Sequence, residues 1–134
     1  MNNMLKIDNW SKRKQAMFQH VEASAGDRAR WIGTNLYYHR RDVAYLNFVL
    51  SKDCSVLDIG CGNGWLLSQL NARVKCGIDL SPSMVDVAKK TCPEATVIQA
   101  DIESRLDLKK IKSLGLFDYI ILSDTLAFLD DIEV

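Results

Sequence analysis

The sequence has no excess charge of either sign. Seventeen lysine and arginine residues balance seventeen aspartate and glutamate residues, so the formal net charge of the 134-residue chain is zero. Proteins that bind nucleic acid phosphates or an anionic membrane surface through their overall charge are usually basic. We therefore expect no nucleic acid partner and no electrostatic attachment to a membrane.

Long apolar runs and paired cysteine motifs are also missing. The first ten residues, MNNMLKIDNW, contain no signal-peptide-like stretch, and no later segment approaches the ~20 apolar residues of a membrane span. No CxxC pair or histidine cluster with zinc-site spacing accompanies the four cysteines, which are Cys54, Cys61, Cys76 and Cys92. These absences predict a cytoplasmic protein with reduced structural thiols, no membrane span and no metal site.

Short apolar segments alternate with helix-like segments after residue 52. The expected strands lie near 54–59, 74–79, 96–99 and 117–122. This βαβ order predicts an α/β fold with a parallel sheet and helices on both faces. Before residue 52, the sequence predicts helices over 10–24 and 35–50, with a break near residues 25–27; the second helix has Val43, Leu46, Val49 and Leu50 on one face. We therefore divide the chain into an amino-terminal helical extension, 1–52, and a core, 53–134.

The segment VLDIGCGNG, residues 56–64, joins the first strand to the helix that follows it. The strand ends in Asp58, and glycines follow at every second position: Gly60, Gly62 and Gly64. Glycine lets a ligand approach the backbone closely, and the amides at the start of the next helix face that ligand. The pattern predicts a binding loop for a nucleotide-like ligand.

Two features of this loop argue against a dinucleotide. The GxGxxG fingerprint requires its third glycine at the position of Trp65, the bulkiest residue available. Asp58 would repel a pyrophosphate, whereas it would attract a ligand that carries an ammonium and a sulfonium. The loop therefore favours S-adenosylmethionine over NAD, and an NAD-dependent oxidoreductase is the less favoured alternative.

Four segments in register resemble the Rossmann-like, class I S-adenosylmethionine-dependent methyltransferases. VLDIGCGNG resembles the first motif of that family. GIDLSPSMVDVAKK resembles the family's second strand with its acidic end. IQADIE resembles the loop after the third strand, and FDYIILSDTLAFLDD resembles the fourth strand with its loop. The resemblance covers roughly residues 54–131. It implies strands 1 to 4 of a class I fold, S-adenosylmethionine as cofactor, and methyl transfer.

The resemblance implies roles for the residues around the first two strands. The three glycines would give clearance for the methionine and ribose, Cys61 would be a small neighbour of the cofactor, and Asp58 would orient the amino group of the methionine. Asp79 ends the second strand 19 residues after Gly60, which is close to the ~20-residue spacing at which an acidic residue meets ribose hydroxyls. A carboxylate can accept both hydroxyl protons.

Further cofactor contacts are implied beyond the second strand and in the helix before the first. Leu80 and Met84 would contact the adenine. Asp101 would accept from the adenine amino group, and the backbone amide of Ile102 would donate to the ring. The Ser123 carbonyl would accept from the methionine amino group, with Asp124 beside it. Tyr38 and Arg40, next to Tyr37, would contact the methionine carboxylate and the methyl group.

The methyl acceptor is not fixed by these motifs. A narrower resemblance, carried by YYHRRDVAYLNFVL and FDYIILSDTLAFLDDIEV, is to methyltransferase modules fused ahead of family 2 glycosyltransferases. It implies a sugar or glycan hydroxyl as acceptor, with another small molecule as the broader expectation. No catalytic base can be assigned, and His39 fits a helix surface better than a catalytic site.

The resembled family continues through three more strands after the fourth. The sequence therefore predicts that FDYIIL is an uncovered apolar sheet edge, which a downstream domain, a partner or a second copy of the chain would cover. A binding module that retains S-adenosylmethionine without independent catalysis is the main alternative function. A partner-dependent structural role is supported by this edge alone.

Overall fold

The computed structural model describes residues 9–131 and contains one parallel sheet of four strands. These are β1 Ser55–Ile59, β2 Val74–Asp79, β3 Thr96–Gln99 and β4 Tyr119–Ile121, in the order β3-β2-β1-β4. All three strand pairs are parallel, and Leu57 lies opposite Cys76 on one side and Ile120 on the other. The predicted α/β Rossmann-like sheet is confirmed, and β4 is shorter than expected.

Six helices accompany the sheet in this part of the chain: α1 Lys12–Ser24, α2 Arg28–Thr34, α3 Leu36–Val49, α4 Trp65–Gln69, α5 Pro82–Thr91 and α6 Arg105–Ser113. The predicted break at residues 25–27 is a 3-10 turn, Ala25–Asp27. The sequence did not predict α2. Ile32 is its single buried residue, so the segment lacks the repeated apolar positions that indicate a helix.

The core consists of apolar side chains on both faces of the sheet. Successive residues of a strand point to opposite faces, so Val56 joins a cluster with Leu67 and Leu70 while Leu57 joins one with Ile78 and Ala100. Helices therefore cover both faces, as the near-continuous burial of β1 requires.

The predicted cap, first turn and last turn of α5 are confirmed. The Ser81 hydroxyl accepts a hydrogen bond from the Met84 amide at 3.0 Å, Pro82 occupies the first turn, and Lys89 and Lys90 lie in the last turn. This well-defined start fixes the position of the loop between β2 and α5, which borders the site described below.

The cysteines are all buried and unpaired, as expected for reduced structural thiols. Across residues 9–131, no helix combines the length and the hydropathy needed to cross a membrane.

Candidate functional site

A cavity of about 290 Å³, the main cavity, lies where the four strands end at their carboxyl side. This is the edge at which open parallel sheets bind ligands. The structure brings nine of the predicted site residues into its lining: Gly60, Gly62, Asp79, Leu80, Met84, Asp101, Ile102, Ser123 and Asp124. Helix α1 contributes the opposite wall, through residues that include Met17, Phe18 and Val21.

A smaller cavity of about 70 Å³, the side cavity, shares part of this lining. Arg28, Ser123 and Asp124 border both cavities, together with the first two glycines of the loop. Two further predicted residues, Asp58 and Cys61, border the side cavity only. The two cavities thus surround the glycine loop from neighbouring sides.

Asp58 is almost fully buried, with 1% of its surface exposed. Its Oδ1 atom has no hydrogen-bond partner among the described residues. Burial, together with repulsion from the Asp79 carboxylate, raises the pKa of Asp58 to about 7. An unpartnered buried carboxylate is costly, so this atom is well suited to receive a cationic ligand group.

The three glycines of the loop have different surroundings. All have positive φ, but a Cβ on Gly62 would meet nothing within 4 Å, so the space above it is open for a ligand. A Cβ on Gly60 would overlap the Thr125 hydroxyl, which donates to the Ile59 carbonyl at 2.7 Å. The predicted ligand clearance therefore fits Gly62 best.

Gly64 borders neither cavity. A Cβ at this position would come within 3.0 Å of both the Cα and Cβ atoms of Ala88. Its small size therefore allows close packing of the start of α4 against α5, and its predicted role in clearing space for the cofactor gains no support from this position.

Asp79 has both carboxylate oxygens engaged by backbone amides. Oδ2 accepts from the Gly62 amide at 2.8 Å, and Oδ1 accepts from the Ser81 amide at 2.9 Å. Burial raises the pKa of Asp79, although the amides of Ser81, Gly62 and Leu80 act in the opposite direction. The side chain is thus held by the backbone, and a carboxylate with about four acceptor positions can still accept from a ligand hydroxyl.

Asp101 is buried and accepts four hydrogen bonds within the protein. Lys14 Nζ lies 3.0 Å from both carboxylate oxygens, Trp10 Nε1 donates to Oδ2 at 2.9 Å, and the Glu103 amide donates to Oδ1 at 3.0 Å. The side chain predicted to recognise adenine is thus bound to the segment that begins α1.

Asp124 is the single non-glycine residue with positive φ among residues 9–131, at +58°. Aspartate tolerates this left-handed conformation better than most residues, but the conformation is still strained. It turns the chain sharply after β4 and brings Ser123 and Asp124 to the rim of both cavities.

Tyr38 and Arg40 do not border either cavity and are exposed, Tyr38 by 69%. Neighbouring side chains of a helix point about 100° apart. His39, which lies between Tyr38 and Arg40, therefore faces inward while these two residues face outward. The predicted cofactor contacts of Tyr38 and Arg40 gain no support from this placement.

His39 borders the side cavity, where its Nε2 atom is buried without a hydrogen-bond partner among the described residues. The imidazole lies edge-on to Trp31 and Trp65, with ring centroids 5.2 and 5.7 Å away. The sequence favoured a surface position for this residue. A single histidine in an amphipathic helix carries no local signal of which neighbours will enclose it.

Several site residues from the amino-terminal region were not predicted. Lys14, Met17 and Phe18 come from α1, and Arg28 comes from the start of α2, with its guanidinium 4.4 Å from the centroid of the Trp31 ring. The weak amphipathic character of α1 gave no indication of which face would be enclosed. Within residues 9–131, no cluster of three or more histidine, cysteine or acidic side chains is arranged to hold a metal ion.

Comparison with known proteins identifies related sequences. Residues 56–134 match the family described as "Methyltransferase domain". Magnesium-protoporphyrin O-methyltransferase of Rhodobacter capsulatus is 30% identical over 77 residues, 56% of this chain and 34% of that protein. Malonyl-[acyl-carrier protein] O-methyltransferase of Halalkalibacterium halodurans is 35% identical over 83 residues, 57% and 30% of the two chains. The chain thus spans about a third of the length of these curated relatives.

Solved structures share the fold at lower sequence identity. A possible histamine N-methyltransferase from Thermotoga maritima superposes with a TM-score of 0.64 at 20% identity, over 86% of this chain and 51% of the other. Magnesium protoporphyrin IX methyltransferase from Synechocystis PCC 6803, solved with bound S-adenosylhomocysteine (SAH), gives a TM-score of 0.63 at 20% identity, over 86% and 60%. These similarities confirm the Rossmann-like methyltransferase architecture.

Proposed function

The chain belongs to the methyltransferase domain family and has the Rossmann-like fold of its class I members, and from this premise we propose that it binds S-adenosylmethionine and transfers the methyl group to an acceptor. The observation that carries the proposal is the pairing of an unpartnered, buried Asp58 oxygen with the open space above Gly62. A ligand that combines an ammonium with a ribose fits both features.

The adenosine part of the cofactor is assigned to the main cavity. Asp79, which backbone amides hold in place, would accept from the ribose hydroxyls. Leu80, Met84 and Ile102 line the same cavity and offer apolar contact to an adenine ring. One fixed carboxylate among apolar walls matches a nucleoside, which has polar hydroxyls on the sugar and a flat base.

The amino acid part of the cofactor is assigned to the side cavity. Asp58 would receive the ammonium, and the Ser123 backbone would accept a further hydrogen bond from it. Arg28 borders both cavities and would bind the carboxylate. Opposite charges in one small cavity match a zwitterionic head group, and neither a pyrophosphate nor a nicotinamide has that charge pattern.

S-adenosylmethionine supplies a methyl group that its sulfonium already makes electrophilic. The residues of this chain would hold the sugar through Asp79 and the ammonium through Asp58, and so fix the direction in which the methyl group points. An acceptor held in line at near-attack distance then reacts without further activation of the donor. No side chain is assigned as a base for the acceptor.

The acceptor is proposed to be an oxygen nucleophile, in the form of a hydroxyl on a small molecule or a glycan. The two curated relatives described above are named as O-methyltransferases, one of magnesium-protoporphyrin and one of malonyl-[acyl-carrier protein]. The glycan assignment is supported only by the resemblance to modules fused ahead of glycosyltransferases.

Calorimetric titration with SAH tests the cofactor assignment. Wild type and Asp53→Asn, an exposed carboxylate in the turn before β1, should bind equally well. Asp79→Asn should weaken binding at least tenfold, because the amide offers only one acceptor oxygen. Tighter binding of NAD than of SAH, or an unchanged affinity of Asp79→Asn, would contradict the proposal.

A cofactor-binding module without turnover is a second candidate. It is favoured by β4, which pairs only with β1 within residues 9–131 and leaves Ile120 and Leu122 exposed beside the site. Transfer of labelled methyl groups to hydroxylated acceptors, measured with and without any natural downstream sequence, separates the candidates. Binding without transfer by the chain alone supports the module.

A further inference from the structure

The beginning of α1 is tied to the loop after β3 by a buried cluster of charged and polar groups. We propose that Lys14 and Trp10 latch α1 as a lid over the main cavity, and that Asp101 governs cofactor exchange through this latch and not by contact with adenine. The inference rests on the proposed function for the identity of the ligand. The latch itself is formed by side chains and amides of the chain alone.

The lid is α1 itself. Lys14, Met17, Phe18 and Val21 lie on consecutive turns and line the main cavity opposite the strand ends. A ligand bound against Asp79 and Gly62 would therefore lie between the sheet and this helix. Movement of α1 away from the sheet widens the cavity, and its closure covers a ligand already bound.

The carboxylate of Asp101 is already engaged on both oxygens within the protein. Trp10 Nε1 donates to Oδ2, the Glu103 amide donates to Oδ1, and Lys14 Nζ lies 3.0 Å from both oxygens. Few of its roughly four lone-pair sites are left for a ligand. The side chains of Lys14 and Asp101 are only 4% and 7% exposed. With the lid closed, an adenine amino group would compete with a buried lysine for the same oxygens.

Glu103 extends the latch to the loop after β4. Its Oε2 atom pairs with Lys14, and its Oε1 atom accepts from the amides of Asp130 and Asp131 at 2.8 Å each. Lys14 thus joins α1 to the loops that follow β3 and β4, and Ser11 and Arg13 add hydrogen bonds from the same end of α1 to the second of these loops. Because removal of one partner leaves a buried charge uncompensated, we expect the contacts of Lys14 to be made and broken together.

The other end of α1 has a separate attachment. Glu22 accepts from the Ser83 hydroxyl at 2.7 Å and the Ser83 amide at 3.2 Å, and it also bonds the Ser81 hydroxyl at the start of α5. Release of the Lys14 end would leave this attachment in place. The lid is therefore expected to swing about its carboxyl end, next to the 3-10 turn at Ala25–Asp27.

The first test uses the full chain and SAH, with release followed by stopped flow. Lys14→Met should raise the dissociation rate at least tenfold, and Trp10→Phe, which removes the indole N–H donor but keeps an aromatic ring next to Phe18, by about threefold. Lys75→Met is the matched control, because Lys75 pairs with the exposed Glu94 away from the cavity. Its dissociation rate should stay within twofold of wild type.

The second test separates a latch from direct adenine recognition. S-inosylhomocysteine, which carries a 6-oxo group in place of the amino group, is compared with SAH. Asp101→Asn should speed the release of both ligands equally and keep their affinity ratio within twofold, and it should add nothing to Lys14→Met in the double variant. A tenfold change in that ratio for Asp101→Asn would overturn the latch and support direct recognition.

Hydrogen exchange of the ligand-free protein keeps the two proposals separable. The α1 amides should lose at least tenfold protection in Lys14→Met and Trp10→Phe but not in Lys75→Met. If wild type fails to bind SAH, the proposed function fails, and this exchange measurement still decides the latch. Undiminished α1 protection in a folded Lys14→Met protein would overturn it.

Discussion

At the residue scale, Asp58 links the stability of the protein to its ligand chemistry. Its pKa is raised to about 7 in the folded protein, whereas an unfolded aspartate titrates near ~3.9. Between these values the folded state binds the proton and the unfolded state does not. Asp58 therefore lowers the free energy of unfolding as pH rises from about 4 to 7, and its full cost applies above pH 7.

The variant Asp58→Asn should remove this pH dependence. It should be more stable than wild type at pH 8 by about 1–3 kcal/mol, and the difference should shrink towards pH 4. Urea unfolding at several pH values measures this. A ligand ammonium favours the ionised carboxyl, so SAH affinity in wild type should rise between pH 5 and 7 and flatten in Asp58→Asn. A stability difference independent of pH would contradict the raised pKa.

Two glycines of one loop should respond differently to the same substitution. Gly64→Ala should destabilise the protein by about 2–4 kcal/mol, because the new methyl meets Ala88 at a position with positive φ. Gly62→Ala should cost only about 1–2 kcal/mol, since nothing lies within 4 Å, but it should abolish SAH binding. Denaturant unfolding and calorimetry of both variants make the comparison. Equal effects on stability would contradict the distinct roles.

At the element scale, the residue that caps α5 also positions α1 and Asp79. The Ser81 hydroxyl accepts from the Met84 amide and also contacts Glu22 of α1. Ser81 is 1% exposed, so neither contact can be replaced by bulk water. The same residue therefore begins α5, holds the carboxyl end of α1 and, through its amide, orients Asp79.

Ser81→Ala should therefore cost more than loss of an ordinary cap. We expect a loss of about 2 kcal/mol in unfolding free energy, against about 1 kcal/mol or less for Ser104→Ala, which caps α6. The Ser104 hydroxyl accepts from the Asp107 amide at a longer 3.4 Å. Thermal unfolding of both variants measures the difference, and a larger loss for Ser104→Ala would contradict this account.

At the scale of the whole molecule, β4 is one of the two edge strands of the described sheet, with β3 at the other side. It pairs with β1 on one side, and Ile120 is 58% and Leu122 43% exposed. Exposed apolar edges favour pairing with another chain. The sequence predicted such an edge from FDYIIL, and the exposure of these two residues agrees with that expectation.

Ile120→Lys should reduce concentration-dependent self-association of the chain. A charge on an edge strand disfavours strand pairing between molecules. Light scattering over a hundredfold concentration range measures the mass of wild type and variant. Leu106→Lys, at a residue 62% exposed on α6, is the control and should behave like wild type. Equal reduction by both variants would indicate general solubility and not pairing at β4.

The fold was largely readable from local patterns. The four strands, α5 with its cap and the glycine loop follow from apolar segments a few residues long, because burial on both faces makes the strands of a parallel sheet continuously apolar. The positions of Asp79 and Asp101 at strand ends follow from the same patterns. Their common place at the carboxyl ends of the parallel strands follows too. The placement of Tyr38 and Arg40 did not follow, because which side of α3 faces inward depends on the neighbours that pack against it.

The sequence by itself determined the strands, the glycine loop and the acidic residues at the strand ends, since each follows from the residue pattern of its own segment. Only the tertiary structure decided that His39 and Asp58 have unpartnered atoms at one cavity, that Gly64 packs on Ala88 and that Lys14 engages Asp101. These contacts join residues that are distant in sequence, up to 87 positions apart for Lys14 and Asp101. Long-range contacts of single side chains leave no periodic pattern in the sequence, so they are seen only in the packed structure.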